Sequence, residues 1–344
     1  MSTNQISHTI LILIGSVFIL FIGKSLLVPL VLALLIWFLI ISLRKLFMQI
    51  PVIGNKLPRW IWTMASTIIF IIVYISIINL LASNIQTLLK KAPQYTANLK
   101  DLNEFVFNYF NIDQFKLEDN LVDSNYLSSI LSTSLKTLSS LFSNLFLIIL
   151  YVVFIFSEEI NFREKLGRTL DNQDNFNQVS GTLEQIRTSI EHYIGLKTIM
   201  SVLTAGLSYI VLLSIGVDSA LFWSALIFLL NFIPSIGSLI ATVFPALFAF
   251  LQFNDVTYLL LVFGLVGAIQ IIVGNIVEPK VMGKSLNLSS LVVMLALTFW
   301  GSLWGLTGAI LSVPITVMLM IIFSHFDSTK FLSRILSEKG EINP

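Results

Sequence analysis

The sequence predicts an all-α polytopic membrane protein with about eight membrane segments, some of them broken or re-entrant helical hairpins. Three observations carry this. Of 344 residues, 56% are hydrophobic and 11% charged, against about 25% charged in an ordinary soluble domain. Apolar runs recur along the whole chain, and about 20 such residues cross a bilayer as a helix. The runs are continuous, which excludes the alternating strands of a membrane barrel. A net charge of +1 offers no basic surface for nucleic acid, and the lack of Cys excludes disulfides and thiolate metal sites. His8, His192 and His325 are too scattered in sequence to suggest a metal site.

The elements follow in order. Helix 1 is expected over about 9–23 and helix 2 over about 25–43, close enough for a tight hairpin. Thr9–Ile22 lacks a basic leader and a small-residue cleavage site, so it reads as a retained helix. Arg44, Lys45, Lys56 and Arg59 mark a cytoplasmic loop, because loops rich in Lys and Arg stay inside. Helix 3, about 61–82, completes an N-terminal membrane region of 1–82. Residues 83–140 are polar, with apolar side chains at helical spacing, as in LKDLNEFVFNYF (99–110). They read as an extramembrane segment of amphipathic helices, either a solvated hairpin or an interface. A membrane helix at 141–157 precedes a cytoplasmic helical segment at 158–197, with a polar turn at 171–177.

Residues 198–326 read as the transport core, followed by a cytoplasmic tail at 327–344. Helix 5 is expected over about 198–216. A charge-free run spans 219–254 and another spans 285–326, each nearly twice one membrane crossing. The first is interrupted by PSIGS (234–238) and the second by WGSLWG (300–305), with helix 7 at about 256–277 between them. Helix 5 with the first run starts from inside; helix 7 with the second starts from outside. Inverted units with matching Gly/Pro interruptions mark secondary transporters.

Asn231, Pro234, Ser235, Gly237 and Ser238 cluster at the first interruption. Pro lacks an N–H and clashes with the preceding turn. Backbone polar groups opened this way survive in a membrane only under protein cover or along a water-filled cavity. The cluster therefore reads as the tip of a hairpin lining a substrate path, with a kinked ordinary helix as the alternative. Gln270, Gly274 and Glu278, at i, i+4 and i+8, form a second candidate surface beside Gly267. That stripe serves equally as a polar lining or as a helix-packing face. Gly301, Gly305 and Gly308, continued by Ser312, read as one close-packing face, and Pro314 as a kink in the helix that follows. Catalytic readings fail. The two GKS triplets lack the first P-loop glycine, since those positions hold Phe18 and Glu278. No enzyme is expected and no cofactor, beyond coupling to H+ or Na+.

Three blocks carry a family resemblance: NFIPSIGSLIATVFPAL (231–247), GNIVEPKVMGKSLNLSSLVVMLAL (274–297) and FWGSLWGLTGAILSVPITVMLMII (299–322). In this order they resemble the autoinducer-2 exporter family, also called the PerM-like permeases. The resemblance implies a bacterial inner-membrane permease with both termini cytoplasmic. It also implies export of autoinducer-2 in some members and Na+(Li+)/H+ antiport in others. Its partners would be the bilayer, a small polar solute and other copies of the chain, in a homo-pentamer. The family's I-P-x-I-G-P block falls on Ile233, Pro234, Ile236 and Gly237, with Ser238 at its second Pro, and a later family Pro falls on Pro245. Its D-P-x-x-x-G block falls on Glu278, Pro279 and Gly283, with Glu in place of Asp. Export of an autoinducer-2-like solute is the leading expectation. Na+/H+ exchange comes second, since few carboxylates lie deep in the spans and antiport needs one. A non-transporting membrane scaffold is the reading from another class.

Overall fold

A computed structural model describes residues 3–50, 57–110, 124–169, 172–282, 287–326 and 328–340. Among these, every regular element is helical, and the one extended pairing is an isolated bridge between Leu288 and Ser337. The helices are α1 (Thr3–Ile22), α2 (Lys24–Met48), α3 (Arg59–Phe110), α4 (Ser124–Thr169), α5 (Gln173–Ile215), α6 (Ala220–Leu230), α7 (Ile236–Phe253), α8 (Val256–Ile271), α9 (Glu278–Met282), α10 (Ser290–Ser324) and α11 (Lys330–Leu336). A π-helical turn, Ile272–Val277, joins α8 to α9. Six of the described helices are long and apolar enough to cross a membrane: Lys24–Met48, Arg59–Lys91, Phe176–Ile215, Ile236–Phe253, Val256–Val281 and Ser290–Ser324. The outward side chains fit that setting, since Leu, Ile and Phe are exposed along the spans.

Helix boundaries differ from the sequence expectation in a consistent way. α3 runs unbroken from Arg59 to Phe110, across the expected change at 82/83. α4 likewise passes 140/141 and 157/158, and α5 passes 197/198. Hydropathy changes at these places while the backbone does not, because a helix satisfies its own N–H and C=O groups in water and lipid alike. The polar turn expected at 171–177 is shorter, since α5 begins at Gln173. Helices 1 and 2 do not form a tight hairpin. Only Gly23 separates them, with φ −74° and ψ 3°. Gly23 N–H donates to Ile19 O and Leu27 N–H to Gly23 O, each at 2.8 Å, so the chain keeps a helical course.

The chain divides into two compact units: residues 1–63, 144–195 and 284–344 in the first, 64–143 and 196–283 in the second. In the first unit, the Glu191 carboxylate of α5 is 7% exposed and is held by Lys45 of α2 and by Arg187 at 2.8 Å. Trp37 Nε1 donates to Glu159 of α4 at 3.2 Å, and Arg187 lies 5.9 Å from the centre of the Trp37 ring. A buried carboxylate must be paired in this way to stay charged. At the far end of this unit's sequence, Ser289 N–H donates to Leu336 O and Glu338 N–H to Asn287 O, clipping α11 to the start of α10.

In the second unit, α7 and α8 pack side by side around the turn at Asn254–Asp255. Asp255 caps α8 by accepting from Thr257 N–H at 2.8 Å. That bond holds its carboxyl below the usual carboxylate range. α5 ends in Gly216 at φ 83°. Val217 N–H donates to Leu212 O and Gly216 N–H to Leu213 O, a Schellman cap that requires the left-handed residue.

Candidate functional site

The second unit holds a polar cluster at each end of the part of α5 that belongs to it, residues 196–215. At one end Asp218 pairs with Lys91 and accepts from the Tyr95 hydroxyl at 2.9 Å. Burial, then the bond to Asp218, pushes the Tyr95 hydroxyl well above its usual pKa. Gln252, near the end of α7, accepts from Asp218 N–H at 2.6 Å and donates to Gly216 O at 2.9 Å. At the other end Lys197 Nζ lies 2.5 Å from Glu278 Oε1, with side chains 11% and 19% exposed. Lys197 to Ile215 spans about 27 Å of helix, close to the roughly 30 Å hydrocarbon core. The two clusters thus sit where a bilayer would become polar.

Between them the chain breaks. α6 holds 11 residues, about 16 Å of helix and too short to cross a bilayer. Trp223 of α6 meets Phe248 of α7 with ring centres 5.0 Å apart, while Leu230 meets Gly237. The crossed order makes α6 and α7 antiparallel. The link is strained. Ser235 sits at φ 57°, ψ −57°, and Ile236 N–H donates to Pro234 O at 2.6 Å. This is the positive-φ γ-turn, a rare and strained form. Pro234 suits it because its carbonyl is used and it has no N–H to satisfy. Ser238 Oγ donates to Ser235 O at 2.8 Å, and Thr242 Oγ1 to Ser238 O at 2.9 Å. A Cβ on Gly237 would stand 1.9 Å from Leu230 O, so only glycine permits this approach. Asn231 is half-buried and caps α6 through its own N–H to Ile227 O at 3.0 Å. Pro245 is fully buried inside α7.

α8 brings Gly267 against α7: a Cβ there would lie 3.5 Å from Thr242 Cγ2. Gln270 is 8% exposed, and its Nε2 has no hydrogen-bond partner. Gly274 is half-buried, with open space where a Cβ would be. Residues i and i+8 of an ideal helix stand about 80° apart in azimuth. One π turn absorbs an extra residue, which brings Gln270 and Glu278 to within about 20° of one line. Glu278 therefore shares the side of Gln270. Glu278 is helical, at φ −56° and ψ −50°, although the residue before a proline is usually extended. The wider π turn before Pro279 accommodates it. Pro279 is exposed in α9, and Gly283 lies outside the described residues.

In the first unit, Gly301, Gly305 and Gly308 do not share a helix face. Gly305 has φ 62° and ψ −141°, which breaks α10 in two. A Cβ on Gly308 would stand 1.9 Å from Trp300 O, and one on Gly301 3.9 Å from Ala309 Cβ. Eight residues of straight helix would separate such atoms by about 12 Å, so the chain bends sharply. Trp304 Nε1 donates to Leu20 O at 3.0 Å. Ser312 and Pro314 are buried in the second half, which stays helical through Pro314.

Sequence reasoning missed Lys197, placing it at the end of a cytoplasmic segment. It also paired Lys91 with nearby acids in sequence rather than with Asp218. It passed over Ser201, Thr204 and Ser208, whose spacing from Lys197 of four, three and four residues was readable. All three are buried. Among the described residues no group of three or more His, Cys, Asp or Glu side chains is placed to hold a metal.

Long apolar helices, interrupted within the apolar runs and tied at both ends by polar clusters, define a multi-pass helical membrane protein. The chain belongs to the AI-2E family of transporters, whose family model matches residues 7–327. It is 31% identical to a putative transport protein of Haemophilus influenzae over 96% of each chain. It is 30% identical to the AI-2 transport protein TqsA of Escherichia coli over 96% of this chain and 95% of that one. A putative transport protein of Borreliella burgdorferi is 32% identical over 73% of this chain and 69% of its own.

Proposed function

We propose that this AI-2E family transport protein exports a small polar solute of the autoinducer-2 kind. It acts in a bacterial inner membrane, as a homo-oligomer with both termini cytoplasmic. In this reading α6 and the start of α7 form a re-entrant hairpin, and the membrane segments number about eight in all. Asn231, Ser235 and Ser238 line the path at its tip, and Gln270, Gly274 and Glu278 line it from the next helix. The observation that carries the reading is the strained γ-turn at Ser235, since strain of this kind collects at functional sites. Likeness to TqsA supports the choice of solute.

Na+/H+ exchange is weaker, because Glu278 is neutralised by Lys197 and is not a free acid awaiting a cation. The test is counterflow of autoinducer-2 in proteoliposomes, with a pH-sensitive dye and a Na+ gradient in a parallel arm. Saturable counterflow with no Na+-driven pH change is expected. A Na+-driven pH change without counterflow would replace export by antiport.

A further inference from the structure

Four residues of α5 share one face: Lys197, Ser201, Thr204 and Ser208. Spacings of four, three and four residues hold them within about 60° of azimuth. All four residues are buried. Thr204 satisfies its hydroxyl on Met200 O at 2.9 Å, one turn back, as Ser224 does on Ala220 O. Ser201 and Ser208, both 0% exposed, have no partner for their hydroxyls. Gln270 Nε2 is in the same condition. An unsatisfied buried polar group costs about 1–3 kcal/mol. Ser66 Oγ and Trp223 Nε1 of the same unit share the condition, but the three on α5 and α8 lie on the two helices joined by Lys197 and Glu278 and call for an explanation.

The position of Gln270 on α8 relates it to this face. It stands on the side of α8 that carries Glu278, and Glu278 holds Lys197. α5 and α8 run antiparallel, because Asp218 and Gln252 meet at one end and Lys197 and Glu278 at the other. Gln270 lies about two turns from Glu278, and Thr204 about two turns from Lys197. Residue 270 is therefore level with residue 204 along the two helices, a level between those of Ser201 and Ser208.

We propose that this seam binds a small uncharged solute bearing several hydroxyl groups. The proposal rests on the transport reading and names the solute class for it. Lys197 and Glu278 cancel in charge, and no charged residue occurs in 198–217 or 256–277. A cation entering the seam loses its hydration with no carboxylate left to pair it, a loss of several kcal/mol. A hydroxyl-rich neutral solute gives as many hydrogen bonds as it takes. Its oxygens accept from Gln270 Nε2, and its hydroxyls exchange bonds with Ser201 and Ser208.

The natural lack of cysteine provides the test. Ser201→Cys and Ser208→Cys are compared with Val202→Cys and Leu213→Cys, whose parent side chains are each 58% exposed on the outer face of the same helix. The reagent is 2-hydroxyethyl methanethiosulfonate, applied to proteoliposomes with autoinducer-2, erythritol or Na+ present. Only a thiolate in contact with water reacts readily. The seam cysteines should react about tenfold faster than the outer pair. Autoinducer-2 or erythritol should slow them, and Na+ should not. Equal reactivity at all four positions, protection by Na+ alone, or reaction that no solute slows would each overturn the proposal. Counterflow by the parent protein is measured alongside. Counterflow with inert seam cysteines removes the seam and keeps transport; protected seam cysteines without counterflow remove transport and keep the seam.

Discussion

The breaks at Ser235 and at Gly305 make the same backbone manoeuvre with different chemistry. Each uses a positive φ, and each is followed by a glycine whose missing Cβ lets it sit against a carbonyl seven or eight residues back, at 1.9 Å from where the Cβ would be. The first carries Pro234, Asn231 and two serines, and places its positive φ on a residue with a side chain. The second carries Trp300 and Trp304, whose rings meet at 5.2 Å, and places its positive φ on glycine, which adopts it without strain. A sharp bend in an apolar helix therefore needs glycine at the closest approach. It does not need polarity or strain. Those features at Ser235 are surplus to the geometry, which is why the first break is the better candidate for chemistry.

The largest effect should come from the shared feature. Gly237→Ala and Gly308→Ala each drive a methyl into a carbonyl oxygen, and no flexible side chain can yield. Each should unfold the protein in detergent well below the parent temperature, beyond the about 1–3 kcal/mol usual for overpacking. Thermal unfolding of the two variants side by side checks the equivalence. A parent-like melting curve for either would show that its break is not held by close backbone contact.

Lys197→Met comes next, and it sharpens the contrast between the units. Removing one partner of a buried pair leaves the other charge uncompensated, at about 3–5 kcal/mol. Lys197 and Glu278 keep 11% and 19% exposure, so the lower end is expected. Lys197→Met with Glu278→Met should recover most of the loss, because the pair then leaves no charge behind. Denaturant titrations of the single and double variants measure this. A double variant no more stable than the single would mean that Glu278 has other work at this end of α8.

How much of this was legible follows from the same residues. The break at 231–238 could be read because Pro, Gly and Ser interrupt an apolar run, and each type has its own backbone consequence. The break at Gly305 falls within the interruption read at WGSLWG (300–305), but its glycines also read as one packing face, because glycine every three or four residues is the pattern of close helix packing too; only φ tells them apart. Membership of the AI-2E family was readable from three sequence blocks. The long helices were not, because hydropathy reports solvent and α3, α4 and α5 change solvent without ending. Glu278 was visible as a candidate, but its partner was not. Lys197 lies 81 positions away, and only the antiparallel course of α5 and α8 brings them together. The alignment of Gln270 with Glu278 depends on a π turn that no residue in IVGNIV announces.

The smallest effect on stability should come from Ser235→Gly, and it decides what the strain is for. Glycine adopts φ 57° freely, which relieves the about 1–2 kcal/mol that a side chain suffers in left-handed conformations. It also gains freedom in the unfolded chain, which offsets about 0.4–1 kcal/mol of that. The net change in stability should be about 1 kcal/mol or less, toward the stable side. Ser238 Oγ still finds the carbonyl of residue 235, because that bond uses backbone. Transport is another matter. If the tip alternates between two arrangements, the strain at Ser235 keeps their energies close, and removing it favours one. Counterflow should then fall severalfold in a protein that melts no lower than its parent. The opposite substitution, Gly305→Ser, imposes strain of about 1–3 kcal/mol on a break with open space around it. It should lower stability in proportion. Should Ser235→Gly leave both counterflow and melting unchanged, the tip is a fixed turn like that at Gly305, and the search for a moving part shifts from the γ-turn to the Lys197–Glu278 end of the same unit.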